Sequence, residues 1–96
     1  AHSHRLWAFF IVLPVWLAVN YSEIRMSRLR QQFANRLKAL RQQKGLTQEE
    51  LAKATGLSVN FVRAMEQGVN APSFESLEII AGALEVEVKE LFEFET

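Results

Sequence analysis

Between Thr47 and Gln67 the chain reads TQEELAKATGLSVNFVRAMEQ, and this stretch limits the fold more than any other part of the 96-residue sequence. Thr47-Gln48-Glu49-Glu50 has the form of a capping box, in which the Thr hydroxyl and the Glu carboxylate each satisfy a backbone N–H at a helix start. Gly56 ends that helix, because a glycine takes positive φ cheaply, and Ser58 caps a second helix that runs to about Gln67. Two short helices joined by so tight a turn must cross closely. The crossing needs a small residue where they touch, and Ala52 supplies it, while Leu51, Leu57, Val62 and Met65 fill the space beneath.

The flanking sequence is helical in pattern from Met26 onward. A first helix is expected from about Ser27 to Lys44, with Leu29, Phe33, Leu37 and Leu40 on one face and Gly45 as a left-handed stop. After the loop Gly68 to Pro72, Ser73 caps a fourth helix whose Leu77, Ile80, Ala81 and Leu84 form a core stripe. A last helix, about Val88 to Phe94, offers Leu91 and Phe92. The expectation is an all-α fold of five helices.

Composition removes several functions. There is no cysteine, so disulfides and thiolate metal sites are excluded. There is no aspartate, and the two histidines, His2 and His4, lie at the extreme N-terminus. The serines therefore lack the usual base for nucleophilic chemistry, and an enzyme, a cofactor or a metal centre is not expected. The formal net charge is zero, yet it is divided by region. Arg25 to Arg63 holds nine Lys/Arg against Glu49 and Glu50, whereas Ala64 to Thr96 holds eight Glu against Lys89 alone. Such a dipole lets the basic part face phosphates while the acidic part faces away.

The motif, together with the phrases LKALRQQKGLTQEELA, MEQG, APSFESLEIIAGAL and VKELF, resembles the Xre family of helix-turn-helix proteins, the phage repressor and Cro type. The resemblance covers about Phe33 to Phe92 and implies a five-helix, lambda-repressor-like DNA-binding domain over residues 26–96. It implies a transcription regulator, expected to be a repressor, that binds double-stranded DNA in the cytoplasm. In such proteins the second helix of the motif enters the major groove, where all four base pairs are distinguishable.

The outward residues of that helix, Val59, Asn60, Arg63, Ala64 and Gln67, fall opposite Phe61, Val62 and Met65 and form the expected reading face. Asn60 suits an adenine edge, Arg63 a guanine or a phosphate, and Val59 a thymine methyl. Gln48 sits at a helix N-terminus that favours phosphate, the role a glutamine has in this family; Ser58 combines cap and phosphate contact. The resemblance gives Arg41 and Glu66 a structural role, an internal ion pair between the first helix and the recognition helix. Departures from the family pattern are also present. The loop after the recognition helix has only Asn70 as a donor where relatives carry Lys or Arg. Glu85 stands where a helix-ending Gly is usual and Glu87 where a Ser or Thr cap is usual. With few phosphate contacts one half-site should bind weakly, so a homodimer is expected, with Val86, Val88, Leu91, Phe92 and Phe94 as candidate contact residues, several of which must instead close the core.

Residues 1–25 are a separate problem. Leu6 to Val19 is an apolar run of fourteen broken by Pro14, short of the ~20 residues a membrane-spanning helix needs. Four readings stay open: a signal peptide's apolar core, a truncated membrane anchor followed by basic Arg25, Arg28 and Arg30, a docking or dimer-forming segment that buries Trp7, Phe9, Phe10 and Trp16 against a partner, or a non-native leader with Met26 as the true start. A different functional class also competes, a protein-interaction module such as an antitoxin or coregulator.

Overall fold

The computed structural model describes residues 28–94. Among them are four α-helices and one 3-10 helix, with no strand. Helix α1 spans residues 28–43; α2 is Gln48–Thr55, α3 Val59–Glu66 and α4 Phe74–Leu84. The 3-10 helix is Val88–Phe92. The apolar segment 1–25, the histidines and Met26 lie outside the described residues. No described helix is long and apolar enough to cross a membrane.

Helix α1 buries Phe33, Ala34, Leu37, Leu40 and Arg41, a stripe at helical spacing, and exposes Arg28, Gln31, Asn35, Lys38 and Gln42. Leu29, expected on the inner face, is 50% exposed. The helix stops at Gly45, whose φ is +71°, and the Leu46 N–H closes the turn on the Arg41 carbonyl at 3.1 Å.

The crossed pair forms as its sequence directs. The Thr47 hydroxyl accepts the Glu50 N–H at 3.0 Å and the Glu50 carboxylate accepts the Thr47 N–H at 2.9 Å. Gly56 takes φ +74° and turns the chain, and the Ser58 hydroxyl accepts the Phe61 N–H at 3.1 Å to start α3. Leu51, Ala52, Val62 and Met65 are buried between these helices and the rest of the core. Thr55 is buried as well, and its hydroxyl donates to the Leu51 carbonyl at 2.8 Å, leaving no polar atom unsatisfied there.

Helix α4 lays Leu77, Ile80, Ala81 and Leu84 on the core, the stripe read from the sequence. Its end is unusual: Glu85 adopts the left-handed conformation at φ 58°, ψ 41°, doing with a side chain what glycine does elsewhere. The Val86 N–H then bonds the Ala81 carbonyl at 3.0 Å. Glu87 begins the next element without a hydroxyl cap; instead the Glu90 carboxylate accepts its backbone N–H at 2.7 Å.

The fifth expected α-helix is thus a five-residue 3-10 turn ending at Phe92. Leu91 is fully buried and belongs to the core, so it is removed from the candidate dimer contacts. Val86 and Val88 are half-buried against that core, and Phe92 packs on Phe33 with ring centroids 5.5 Å apart. Phe92 remains 39% exposed, so the terminal segment closes the core mainly through Leu91 and the two valines. The Arg36 guanidinium fixes the segment by donating to the Glu90 carbonyl at 2.8 Å.

Candidate nucleic-acid interface

The site begins with what is held still. Arg41 of α1 and Glu66 at the end of α3 form a fork of hydrogen bonds, 2.6 Å from Nε and 2.9 Å from Nη2. A third guanidinium nitrogen donates to the Leu46 carbonyl at 2.7 Å. The Glu66 side chain is 3% exposed and the Arg41 side chain 9%, so the pair is inside the molecule and not on its surface. The Glu66 carboxylate holds the Arg41 guanidinium above the ordinary arginine pKa, against the opposing effect of burial. The ion pair implied by the family resemblance is therefore present, and it locks the far end of α3 to the frame.

Gln48 joins the same cluster. Its amide nitrogen donates to Glu66 at 3.0 Å, tying the first turn of α2 to the last turn of α3. A side chain expected to face phosphate is thus also part of the internal brace, with one amide hydrogen and its oxygen uncommitted by that bond.

Of the residues expected on the reading face, Asn60, Arg63 and Gln67 are exposed. Val62 and Met65 on the opposite side are fully buried. Two positions differ from the helical-wheel expectation. Val59 is half-buried and packs against the core cluster, since the first turn of α3 lies close to the α2 to α3 turn; Ala64 is likewise half-buried. Phe61, expected to face inward, is only half-buried. Ser58 is exposed beside the face, and Asn70 is exposed in the following loop, where its N–H bonds the Ala64 carbonyl at 3.3 Å.

One residue of the face was not singled out by sequence reasoning. Glu49, in the first turn of α2, accepts a hydrogen bond from Arg63 Nη2 at 3.1 Å, and Arg63 Nη1 lies 3.5 Å from the Asn60 amide oxygen. The link crosses between helices, so no spacing within either one signals it. The Glu49 carboxyl is held below the ordinary glutamate range, first by a backbone N–H at the helix start and then by Arg63.

The basic residues divide into two groups. Arg36, Arg41, Arg63 and Lys89 are engaged in ion pairs. Lys38, Lys44 and Lys53 are exposed and make no ion pair among the described residues. The acidic side chains Glu75, Glu78, Glu85 and Glu87 are exposed on and after α4.

Two short capped helices crossing at a small residue, with the polar face of the second open to solvent, define a helix-turn-helix DNA-binding domain of the transcription-regulator class. The sequence profile described as helix-turn-helix matches residues 37–91, and the chain belongs to that family, in its Xre-type branch. It is 38% identical over 61 residues to the immunity repressor protein of Bacillus phage phi105, covering 64% of this chain and 42% of the phage protein. The chain thus spans under half the length of that relative. It is 37% identical over 59 residues to YazB of Bacillus subtilis, an uncharacterized HTH-type transcriptional regulator, covering 62% of this chain and 86% of that protein. Among solved structures, the restriction-modification controller protein C.AhdI of Aeromonas hydrophila superposes with a TM-score of 0.64 at 40% identity, covering 66% of this chain and 96% of the controller.

Proposed function

We propose that this protein reads duplex DNA by placing α3 in the major groove, and that it works as a transcriptional repressor in the cytoplasm. Asn60, Arg63 and Gln67 face base edges, with Val59 and Ala64 as the apolar border of the face. Gln48, Ser58 and Asn70 contact phosphate. The observation that carries this reading is the division of α3: Asn60 and Arg63 are exposed while Val62 and Met65 are 0% exposed. An eight-residue helix with its apolar side sealed and its far end clamped by Arg41 presents its polar side as a rigid unit. The exposed Lys38, Lys44 and Lys53 suit the phosphate backbone.

A single domain whose contacts at Gln48, Ser58 and Asn70 are uncharged displaces few counterions and binds a half-site weakly, because the slope of log K against log salt, about 0.9 per phosphate neutralised, comes only from its lysines and arginines. The protein therefore acts as a homodimer on a palindrome, with recognition helices about 34 to 36 Å apart. Selection of bound duplexes from a random pool by the full chain tests the reading. The expected result is an enriched palindrome whose preference is lost in Asn60→Ala or Arg63→Ala; no enrichment, or enrichment indifferent to both variants, rejects it.

A further inference from the structure

We infer that Glu49 is a positioning residue for Arg63 and that the two form one unit that reads a guanine. The inference rests on the DNA-reading role proposed for α3. Its basis is the hydrogen bond from Arg63 Nη2 to Glu49 Oε1 at 3.1 Å, which reaches from α3 to the first turn of α2.

That link does not hold the fold together. The Arg63 and Glu49 side chains are 45% and 63% exposed, and an ion pair so solvated adds little to stability. The two helices are already joined by the buried core and by the Gln48 to Glu66 bond at 3.0 Å. What the carboxylate does is restrict a long side chain on the reading face. A free arginine must give up much rotamer freedom to make a base contact; one already tethered at Glu49, and resting near Asn60, gives up less.

Charge decides what Arg63 is for. A carboxylate beside the guanidinium cancels its charge and repels phosphate, so this arginine is poorly placed to grip the backbone. A base edge carries no net charge and feels no such repulsion. One N–H of Arg63 is used by Glu49 and another faces Asn60, which leaves three of the five guanidinium donors, enough for the paired contact to guanine O6 and N7. The same fork on a phosphate would gain affinity without sequence information.

The test is the selection from random duplexes, run on the full chain and on Glu49→Ala, Glu49→Gln, Arg63→Ala and the Glu49→Ala/Arg63→Ala pair, each checked for an unchanged thermal transition. The wild type is expected to enrich a guanine at one position of each half-site. Glu49→Ala reduces that preference about tenfold, the size of a lost oriented base contact. Its binding to unrelated duplex stays level or rises, because a negative charge has gone. Glu49→Gln, which keeps an acceptor oxygen, retains most of the preference, and the double variant is no worse than Arg63→Ala. An unchanged guanine preference in Glu49→Ala overturns the inference while leaving α3 as the reading helix. So does an Arg63→Ala variant that loses affinity uniformly, with a salt slope lower by about 0.9, since that marks a phosphate contact. A wild type that enriches no sequence overturns both readings.

Discussion

Arg41 and Glu66 meet inside the protein through two hydrogen bonds of 2.6 and 2.9 Å, joining the last turns of α1 and α3 where neither side chain has room to leave. Removing one partner leaves the other charge buried with too few bonds, which in general is far costlier than removing both. Arg41→Ala is expected to destabilise the protein by about 3 kcal/mol in urea unfolding. Arg41→Lys should recover little, since an ammonium cannot make the planar fork to Glu66 and also reach the Leu46 carbonyl. The paired apolar replacement Arg41→Met/Glu66→Leu should be less harmful than either single change.

Glu85 holds a left-handed conformation at φ 58° that a β-carbon disfavours, and it places a negative charge at the C-terminal end of α4. Glu85→Gly relieves both. The expected gain is about 1 kcal/mol, reduced somewhat by glycine's freedom in the unfolded chain, and read as a higher urea midpoint with unchanged slope.

Two glycines of similar φ separate conformational strain from steric strain. Gly56 at +74° has open space where a β-carbon would sit, so Gly56→Ala should cost about 1 kcal/mol from the backbone alone. Gly68 at +75° would put that carbon 2.8 Å from the Gln31 amide oxygen and 3.4 Å from the Gln31 Cα. Gly68→Ala should therefore cost more than Gly56→Ala, and in a Gln31→Ala background, measured against Gln31→Ala alone, its cost should fall toward the Gly56 value. Thermal unfolding of the four variants measures this.

Glu49 provides a pH test. Its carboxyl pKa is lowered, so the stabilisation it supplies is fully present above the ordinary glutamate range and is lost as pH falls through the depressed value. In a carboxyl-carbon NMR titration Glu49 should titrate below the ordinary glutamate range. Arg63→Ala should raise it only part of the way, because the backbone N–H at the start of α2 is the larger cause.

These residues also show what a sequence reveals. Thr47, Ser58 and Ser73 cap helices by bonds within three residues, so local spacing was sufficient to place them. Ala52 and Gly56 were legible because crossing two short helices admits few side chains at those points. The half-burial of Val59, and the choice of Leu91 as a core residue among the terminal apolar side chains, were not legible for one shared reason: a helical wheel gives the side a residue lies on, but not how far a neighbouring turn or terminus reaches over it. Leu91 sits in a 3-10 turn whose residues do not follow the 3.6 period at all. Glu49 and Arg63 are fourteen residues apart, and their contact exists only once the crossing angle is set.

If the open face of α3 is the surface that meets DNA, amide chemical shifts along that helix must respond to duplex binding. A uniformly labelled full chain is titrated with the duplex enriched in selection. The largest changes are expected at Gln48, Ser58, Asn60, Arg63, Gln67 and Asn70, with Glu75, Glu78 and Glu87 unmoved. Changes centred on α4 or the 3-10 helix, with α3 silent, would contradict it.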